Sequence, residues 1–252
     1  MATITKKKKK KKQSSNLLEV QNAAKTMLAN IRFQSVDKPI KTLAITSSVP
    51  NEGKTTTLIF LAQAIATSGK KVIIVDCDMR RRSLGRELKM HAQNGIYSVM
   101  SGEVNLQDAI IPTKIPNMDF LDVEPSIPNP SDILASKRMG SLISILSRAY
   151  DYVLFDAPPV GTFVDAAVLG ARVDATILVV RPDLPKRDQL KMAYNQLVTA
   201  GANVIGICST FEEDTGNEYY YAYYNEKGER VEGHHHHSEM NPSDAFDPLS
   251  NS

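Results

Sequence analysis

Residues 42–57 read TLAITSSVPNEGKTTT, an apolar segment that runs directly into a loop with the spacing of a phosphate-binding motif. That motif has a Gly six positions before a Lys, a second Gly immediately before the Lys and a Ser or Thr after it. The chain has Ser48 and Gly53 at the two glycine positions, followed by Lys54 and Thr55. Because Ser48 departs from the pattern, a helix entered through an ordinary Pro-Asn-Glu-Gly turn is the alternative interpretation.

The loop contains the groups needed to surround a triphosphate. Gly53 has no Cβ, so successive backbone N–H groups can turn inward, and a helix that begins near Lys54 adds the positive end of its dipole. Lys54 would reach the β- and γ-phosphates, and the Thr55 hydroxyl would ligate Mg²⁺. The predicted nucleotide-binding residues are Ser48, Asn51, Glu52, Gly53, Lys54, Thr55 and Thr56.

The composition indicates one α/β domain with tails. The chain has 252 residues, of which 42% are hydrophobic, and single domains of this class reach roughly 250 residues. No segment approaches the roughly 20 apolar residues that span a bilayer, and no secretory signal precedes the basic N-terminus, so we expect a cytoplasmic protein. Cys77 and Cys208 lack metal-ligand spacing, and neither a disulfide nor a zinc site is expected.

The basic charge of the chain is concentrated at its start. The formal net charge is only +2, yet residues 6–12 form an unbroken run of lysines. Such a run is most often a solvated tail, and the sequence predicts a disordered basic arm over residues 1–16. Contact with an anionic membrane face or with nucleic acid are the alternatives. Because no aromatic residues are interleaved for stacking on bases, we expect no nucleic-acid partner.

From residue 40 onward, apolar β-branched runs alternate with helical patterns. This alternation is typical of a parallel sheet covered by helices on both faces, and it predicts a doubly wound, mainly parallel α/β fold of the P-loop NTPase type. The predicted strands are 41–46, 71–76, 118–123, 151–156, 174–181 and 203–208. The predicted helices are 17–33, 54–68, 131–149, 162–171 and 187–200, with shorter turns between 82 and 111. We expect residues 17–210 to form the domain and residues 211–252 a flexible tail.

A second motif lies where the predicted strand 71–76 ends. Asp76 and Asp78 are separated by one residue, so both carboxylates project from the same face of an extended chain. Such a pair can hold Mg²⁺ and accept a proton from a nucleophile. Arg80, the first of three consecutive arginines, would offset phosphate charge. The alternative interpretation is a solvated polar turn after a buried strand.

A third motif is the segment YVLFD at residues 152–156. A single Asp after an apolar run matches a Walker B strand, whose carboxylate supports Mg²⁺ through water or the loop hydroxyl. Asp165, a little later, could orient the loop that follows. The predicted metal-holding residues are Thr55, Asp76, Asp78 and Asp156, and the predicted catalytic residues are Lys54, Asp78 and Arg80.

With these three motifs on one chain, the sequence resembles the bacterial tyrosine autokinases of the capsular and exopolysaccharide type over about residues 17–224. The segment PSIPNPSDIL at residues 125–134 is similar to a Pro-Asn-Pro-Ser segment of that family. The discriminating feature is a cluster of tyrosines in a polar tail, for which an adhesive aromatic tail is the alternative interpretation. The predicted phosphoacceptors are Tyr219, Tyr220, Tyr221, Tyr223 and Tyr224.

The resemblance implies an ATP-dependent, Mg²⁺-dependent kinase that phosphorylates its own tyrosine cluster and regulates capsular or exopolysaccharide synthesis and export. It implies that a tail tyrosine of one subunit enters a neighbour's site, where Asp78 accepts the phenol proton. It also implies a homo-oligomer and a membrane-bound activator or polysaccharide co-polymerase whose cytoplasmic tail activates the kinase, and a location peripheral to the inner face of the cell membrane. Contact with the membrane is expected only through this association.

The chain departs from the family pattern at several positions, including Ser83 in place of a usual Pro and Ala157 in place of a usual hydroxyl residue. Asn22, Lys25 and Leu28 stand where relatives carry Glu-x-x-Arg-x-x-Arg for ring assembly, and residues 209–211, Ser-Thr-Phe, stand where relatives often have Leu-Asn-Lys near the nucleotide base. Two alternative functions therefore stay open. One is a P-loop ATPase that positions cargo by nucleotide-driven dimerisation, although Val49 occupies the place of its signature Lys. The other is a non-catalytic, nucleotide-gated scaffold.

Overall fold

The computed structural model describes residues 2–36 and 38–211, with side chains described from residue 17 onward. Within these ranges seven strands form one sheet: β1 (Thr42–Ser47), β2 (Val72–Asp76), β3 (Ile110–Pro112), β4 (Met118–Leu121), β5 (Tyr152–Asp156), β6 (Ala175–Val180) and β7 (Val204–Ser209). Their order across the sheet is β3-β4-β2-β5-β1-β6-β7. All neighbouring strands are parallel except β3 and β4, which are antiparallel.

Helices pack on both faces of the sheet. In the described part of the chain they are α1 (Ala2–Gln34), α2 (Lys54–Thr67), α3 (Ser83–Leu88), α4 (Ile96–Ser101), α5 (Leu106–Ala109), α6 (Pro130–Ala135), α7 (Lys137–Ala149), α8 (Asp165–Gly170) and α9 (Arg187–Thr199). Residues of α1 and α2 belong to one apolar core, and residues of α7, α8 and α9 belong to a second. Because both faces of the central strands are buried, their sequences are continuous apolar runs. The predicted doubly wound, mainly parallel fold is confirmed.

The six predicted strands are present, each within two residues of its predicted ends. Strand β3 is the one that the sequence does not predict. It has three residues, ends in Pro112 and pairs only with β4 at the edge of the sheet. Proline is tolerated at such an edge because no further strand requires the N–H that it lacks. The sequence does not predict β3 because a run of three residues is too short to show periodicity.

The predicted helix 131–149 is divided in two. Ser136 lies between α6 and α7 with extended backbone angles, φ −67° and ψ 156°, and its Oγ accepts a 3.1 Å hydrogen bond from the N–H of Met139. A serine that caps a helix in this way satisfies an N–H group that has no partner within the helix. The cap therefore starts a new helix where the sequence predicts a continuous one.

Helix α1 begins at Ala2, whereas the sequence predicts disorder over residues 1–16. The segment 2–34 contains no Gly or Pro, and lysine and alanine are good helix formers. Its later half is fixed by the burial of Ala24, Leu28 and Ile31 against the rest of the domain. Leu28, which departs from the charged pattern of relatives, thus contributes to the core, while Lys25 stays exposed.

Two predictions concern residues that the structure does not describe. The tyrosine cluster at 219–224 and nearly all of the predicted tail, 212–252, lie outside the described residues. Among the helices that the structure does describe, none combines the length and the apolar character needed to cross a membrane.

Candidate active site

Three adjacent strands carry the three sequence motifs to one edge of the sheet. β5 lies between β1 and β2, and its last residue, Asp156, is in register with Ile45 on one side and with Asp76 on the other. Parallel strands end at the same edge of a sheet, where the ligands of such folds bind. The loop after β1, the turn after β2 and the end of β5 therefore meet.

Lys54 lies at the centre of this meeting point. Its Nζ is 3.0 Å from Oδ2 of Asp78 and 3.0 Å from Oδ1 of Asp156. The hydroxyl of Thr55 donates a 2.7 Å hydrogen bond to Oδ2 of Asp156. All four residues are buried. The structure thus brings together one residue pair from the phosphate loop and one carboxylate from each of the two acidic strand ends.

The charges of this cluster are not balanced. Burial disfavours the charged form of Lys54, but Asp156 and Asp78 outweigh it and raise the pKa of the ammonium. Burial raises the pKa of Asp156, which Lys54 offsets only in part, and burial together with the charge of Asp156 raises the pKa of Asp76 well above its ordinary range. Three buried carboxylates lie near one ammonium, which pairs with Asp78 and Asp156, and this excess of negative charge fits a site for a divalent cation.

Asp76 differs from the other predicted metal-holding residues. Its Oδ1 accepts the N–H of Asp78 at 3.0 Å, and its Oδ2 accepts the N–H of Leu84 at 3.2 Å. Both oxygens therefore accept a hydrogen bond from the backbone that follows β2, and Asp76 shapes the turn that carries Asp78. Among the described residues, no group of three or more His, Cys, Asp or Glu side chains could hold a metal alone. A small ligand set suits Mg²⁺, which keeps waters and phosphate oxygens as ligands.

Glu52 holds the phosphate loop in shape. Its carboxylate is fully buried, and Oε2 accepts hydrogen bonds from Ser48 Oγ at 2.8 Å and from the N–H of Val49 at 2.7 Å. Its Oε1 accepts the N–H of Arg181, just after β6, at 3.1 Å. The sequence predicts nucleotide binding for Glu52 and Ser48, which stays a prediction, and the structure shows their side chains bonded to each other within the loop.

The residues that follow β7 close against the same loop. Gly53 has φ +88°, in the left-handed region that favours glycine, and a Cβ there would lie 3.2 Å from the ring of Phe211. The hydroxyl of Thr210 donates a 2.7 Å hydrogen bond to the carbonyl oxygen of Glu52. The guanidinium of Arg181 lies 4.3 Å from the centre of the Phe211 ring. The segment that departs from the family pattern near the nucleotide base is thus part of the wall beside the phosphate loop.

Two predicted nucleotide-binding residues lie on the exposed rim of the loop. The Thr56 hydroxyl donates a 3.1 Å hydrogen bond to Oε2 of Glu87, whose pKa is raised by burial. Asn51 has φ 70° and accepts a contact of 3.5 Å from Nη1 of Arg81. Both side chains connect the loop to the segment after β2.

Arg80 is not part of the Lys54 cluster. Its Nε and Nη2 lie 3.0 and 3.4 Å from the two carboxylate oxygens of Asp165, and its guanidinium stacks 4.0 Å from the centre of the Phe163 ring. Asp165 is 1% exposed and also accepts a hydrogen bond from the Ser131 hydroxyl. A buried carboxylate attracts a cation strongly, so the predicted catalytic arginine holds the segment after β2 to Asp165 at the start of α8.

Two contacts of the site have no counterpart in the sequence motifs: Arg181 beside the phosphate loop, and Ser131 as a partner of Asp165. These contacts join residues that are 129 and 34 positions apart in the chain. A spacing motif reports on residues within one turn or strand, and no signal in the sequence links such distant positions.

Comparison with known proteins identifies relatives over most of the domain. A family model described as an AAA domain matches residues 40–184, more than half of the chain. The tyrosine-protein kinase YwqD of Bacillus subtilis (strain 168) is 32% identical over 182 residues, which cover 72% of this chain and 77% of YwqD.

Solved structures give the same result. The kinase domain of the Escherichia coli tyrosine kinase ETK is 28% identical and superposes with a TM-score of 0.73, covering 79% of each chain. The septum site-determining protein MinD from Pyrococcus horikoshii, complexed with Mg-ADP, is 25% identical with a TM-score of 0.58, covering 67% of this chain and 69% of MinD. The greater likeness to the kinase domain favours a kinase over the cargo-positioning ATPase.

Proposed function

The chain belongs to the bacterial tyrosine-protein kinases, and from this membership we propose that it transfers the γ-phosphate of magnesium-bound ATP to the tyrosines of its own tail. The observation that carries the proposal is the ion-pair cluster in which Lys54 Nζ lies 3.0 Å from both Asp78 and Asp156. Its members come from the three motifs that a P-loop kinase needs for phosphate, metal and proton. The proposed acceptors are Tyr219, Tyr220, Tyr221, Tyr223 and Tyr224.

The phosphate loop would bind the nucleotide through Lys54 and through the backbone beside Gly53. When the terminal phosphates approach, their oxygens compete with Asp78 and Asp156 for the Lys54 ammonium, because phosphate carries the larger charge. Thr55 and Asp156 would hold Mg²⁺, which neutralises the charge of the phosphates when bound. Phosphoryl transfer needs little covalent participation by the protein, so this positioning supplies most of the catalysis.

Asp78 is the proposed acceptor of the phenol proton. Its Oδ2 is buried, has no hydrogen-bond donor in the described part of the chain, and is held only by its ion pair with Lys54. Once Lys54 turns to phosphate, this oxygen is free to accept a proton from an incoming tyrosine. The ion pair would therefore keep the base occupied until nucleotide arrives.

The proposed cellular role is regulation of capsular or exopolysaccharide synthesis and export. The kinase would be cytoplasmic, peripheral to the inner face of the cell membrane, and stimulated by the cytoplasmic tail of a membrane-bound activator or polysaccharide co-polymerase. It would act as a homo-oligomer in which one subunit phosphorylates the next. Each phosphotyrosine adds about −1.5 to −2 charges to a segment that already contains Glu212, Glu213, Asp214 and Glu218. Repulsion should then loosen the oligomer, which light scattering before and after phosphorylation would detect as a smaller particle.

The central test uses the purified full chain with Mg²⁺ and ATP, alone and with the activator tail, probed for phosphotyrosine. We expect signal in the wild type and none in Lys54→Met or in a variant with all five tail tyrosines changed to Phe. Lys54→Met mixed with wild type should become phosphorylated, because the acceptor tail then comes from another molecule. Equal signal in Lys54→Met alone would indicate a contaminating kinase, and ADP formation without phosphotyrosine would contradict the proposal.

A further inference from the structure

Three consecutive arginines, residues 80–82, lie just after Asp78. Two of them form ion pairs with buried carboxylates. Arg80 is bound by both oxygens of the buried Asp165. The Nη2 of Arg82 lies 2.8 Å from Oδ2 of Asp122, which is 1% exposed. Each of these guanidiniums balances a carboxylate that would otherwise be buried without a counter-charge, and neither can leave its partner at low cost.

Arg81 is the member of the run that has no ion pair within residues 17–36 and 38–211. Its side chain is exposed, and Nη1 lies 3.5 Å from Oδ1 of Asn51 at the middle of the phosphate loop. Its backbone is fixed beside the proposed base, because its N–H donates a 3.2 Å hydrogen bond to Oδ1 of Asp78. Its carbonyl oxygen accepts a 2.8 Å hydrogen bond from Arg86. The backbone of Arg81 is thus fixed. Its guanidinium lies beside the phosphate loop and, within the described residues, has no carboxylate partner.

The negative charge that a bound nucleotide would bring to the site requires a second positively charged side chain. Among the described residues, Lys54 is the one cation paired with Asp78 and Asp156, and the second residue of the loop is the neutral Val49. A nucleoside triphosphate carries more negative charge than one Mg²⁺ and one lysine neutralise. In phosphoryl transfer, charge spreads over the oxygens of the transferred group, and an arginine that contacts them stabilises the transition state.

We propose that Arg81, and not Arg80, is the catalytic arginine that contacts the terminal phosphate of the nucleotide bound to the same chain. This inference rests on the proposed function. The backbone of Arg81 is anchored to Asp78, the proposed base, and its guanidinium contacts Asn51 in the phosphate loop. A terminal phosphate bound between this loop and Asp78 would therefore lie within reach of the guanidinium. Its planar fork suits two phosphate oxygens at once, which a lysine ammonium cannot match.

The test compares Arg81→Gln and Arg81→Lys with Lys89→Gln, an exposed residue of the same segment whose substitution removes the same charge. Two quantities are measured for each full-length protein: the affinities for Mg-ADP and for a non-hydrolysable magnesium triphosphate analogue, and the single-turnover rate of phosphotyrosine formation. Thermal melting verifies that each variant folds.

Arg81→Gln should lower the transfer rate by about 10²-fold, the usual effect of removing one donor to a developing charge. Arg81→Gln should also lower the affinity for the triphosphate analogue at least about tenfold more than the affinity for Mg-ADP. Arg81→Lys should recover only part of the lost rate and of the lost affinity. Lys89→Gln should stay close to wild type. Three results would overturn the inference. They are an equal loss of affinity for both nucleotides, a transfer rate for Arg81→Gln within about twofold of wild type, and the same losses in Lys89→Gln.

The nucleotide measurement separates this inference from the kinase proposal. If the wild type forms no phosphotyrosine while Arg81→Gln still loses affinity for the triphosphate alone, the proposed function fails and the contact of Arg81 with the terminal phosphate stands. If the wild type is active and Arg81→Gln matches it in both measurements, the proposed function stands and the role of Arg81 fails. Arg80→Gln, by contrast, should lower the melting temperature, because it leaves Asp165 buried without its partner.

Discussion

The two edges of the sheet use aspartates in opposite ways. At the edge where the strands begin, Asp174 accepts hydrogen bonds from the N–H groups of Lys41 and Thr42 and from the Thr42 hydroxyl, at 3.1, 2.9 and 2.8 Å. Asp151 accepts the N–H of Lys71 at 2.9 Å and pairs with Lys70. Each of these carboxylates has donors of its own and joins neighbouring strands.

At the edge where the strands end, the carboxylates of Asp76, Asp78 and Asp156 are crowded around one lysine. Asp78 and Asp156 share one ammonium, and the pKa of Asp156 is raised by burial. At the first edge the backbone hydrogen bond from Lys71 lowers the pKa of Asp151. We infer that the first edge contributes to stability, whereas the second holds an excess of buried negative charge that a metal ion would offset.

The largest expected effect belongs to the crowded edge. Asp156→Asn preserves the shape of the side chain but removes the charge that holds Lys54 and Thr55. We expect the initial rate of phosphotyrosine formation at saturating Mg-ATP to fall by about 10²- to 10³-fold. Asp151→Asn, the same change at the other edge, should leave the rate near wild type. Similar rates for the two variants would contradict the division of roles between the edges.

The next effect belongs to the edge where the strands begin. Asp174→Ala leaves two N–H groups and one hydroxyl without their acceptor, and hydrogen bonds to a charged group contribute about 1.5–3 kcal/mol each, part of which water restores. We expect the free energy of unfolding in urea to fall by about 2–3 kcal/mol, with the kinase rate per folded molecule unchanged. Asp188→Ala, at an exposed position in α9, should cost far less. A rate loss as large as that of Asp156→Asn would place Asp174 in the catalytic machinery.

Glu52 lies at the edge where the strands end, yet its carboxylate accepts backbone hydrogen bonds as Asp174 and Asp151 do at the other edge. Its substitution tests whether it also contributes to stability. In Glu52→Gln, the amide NH₂ replaces an oxygen that accepts from the backbone, so a buried donor faces another donor. We expect a loss of about 1–2 kcal/mol in unfolding free energy together with weaker nucleotide binding, measured by denaturation and by titration with Mg-ADP. Unchanged stability would mean that the loop does not depend on this buried side chain.

The smallest effect concerns Asp151, whose side chain is 41% exposed. A carboxyl whose pKa is lowered in the folded state stabilises the protein above its unfolded pKa, and the contribution is lost as the pH falls through the folded value. Asp151→Asn should therefore reduce stability near neutral pH by less than about 1 kcal/mol, since exposed ion pairs contribute little. The difference between the two proteins should vanish in acid, in melting curves recorded across pH 2–7. A difference that grew in acid would reverse the sign of the argument.

The fold is largely predictable from the sequence because its signals are local. Buried parallel strands are continuous apolar runs, so the sequence locates the six parallel strands within two residues. The exceptions are also local in origin. β3 is too short to show a period, the division at Ser136 depends on one capping hydroxyl, and the start of α1 depends on how far a helix without breakers extends from its packed half.

The site is predictable only in part. The strand order brings the motifs together, so Lys54, Asp78 and Asp156 could be expected to meet at one edge. Which polar partner each side chain takes could not be expected. Arg80 turns to Asp165, and Asp76 turns to the backbone that follows β2, because buried groups pair with whatever donor or acceptor the tertiary structure brings near. That choice depends on distant segments of chain.

The contact of Thr210 with Glu52 has a practical consequence for any shortened form of the chain. Thr210 is tied to the phosphate loop by its hydroxyl and to β6 by its N–H, which donates a 2.9 Å hydrogen bond to Val180. A deletion that removes the tyrosines should therefore begin beyond Phe211. If the cut were made a few residues earlier, the nucleotide loop would lose one of its walls, and the resulting inactivity would be mistaken for the absence of acceptor tyrosines.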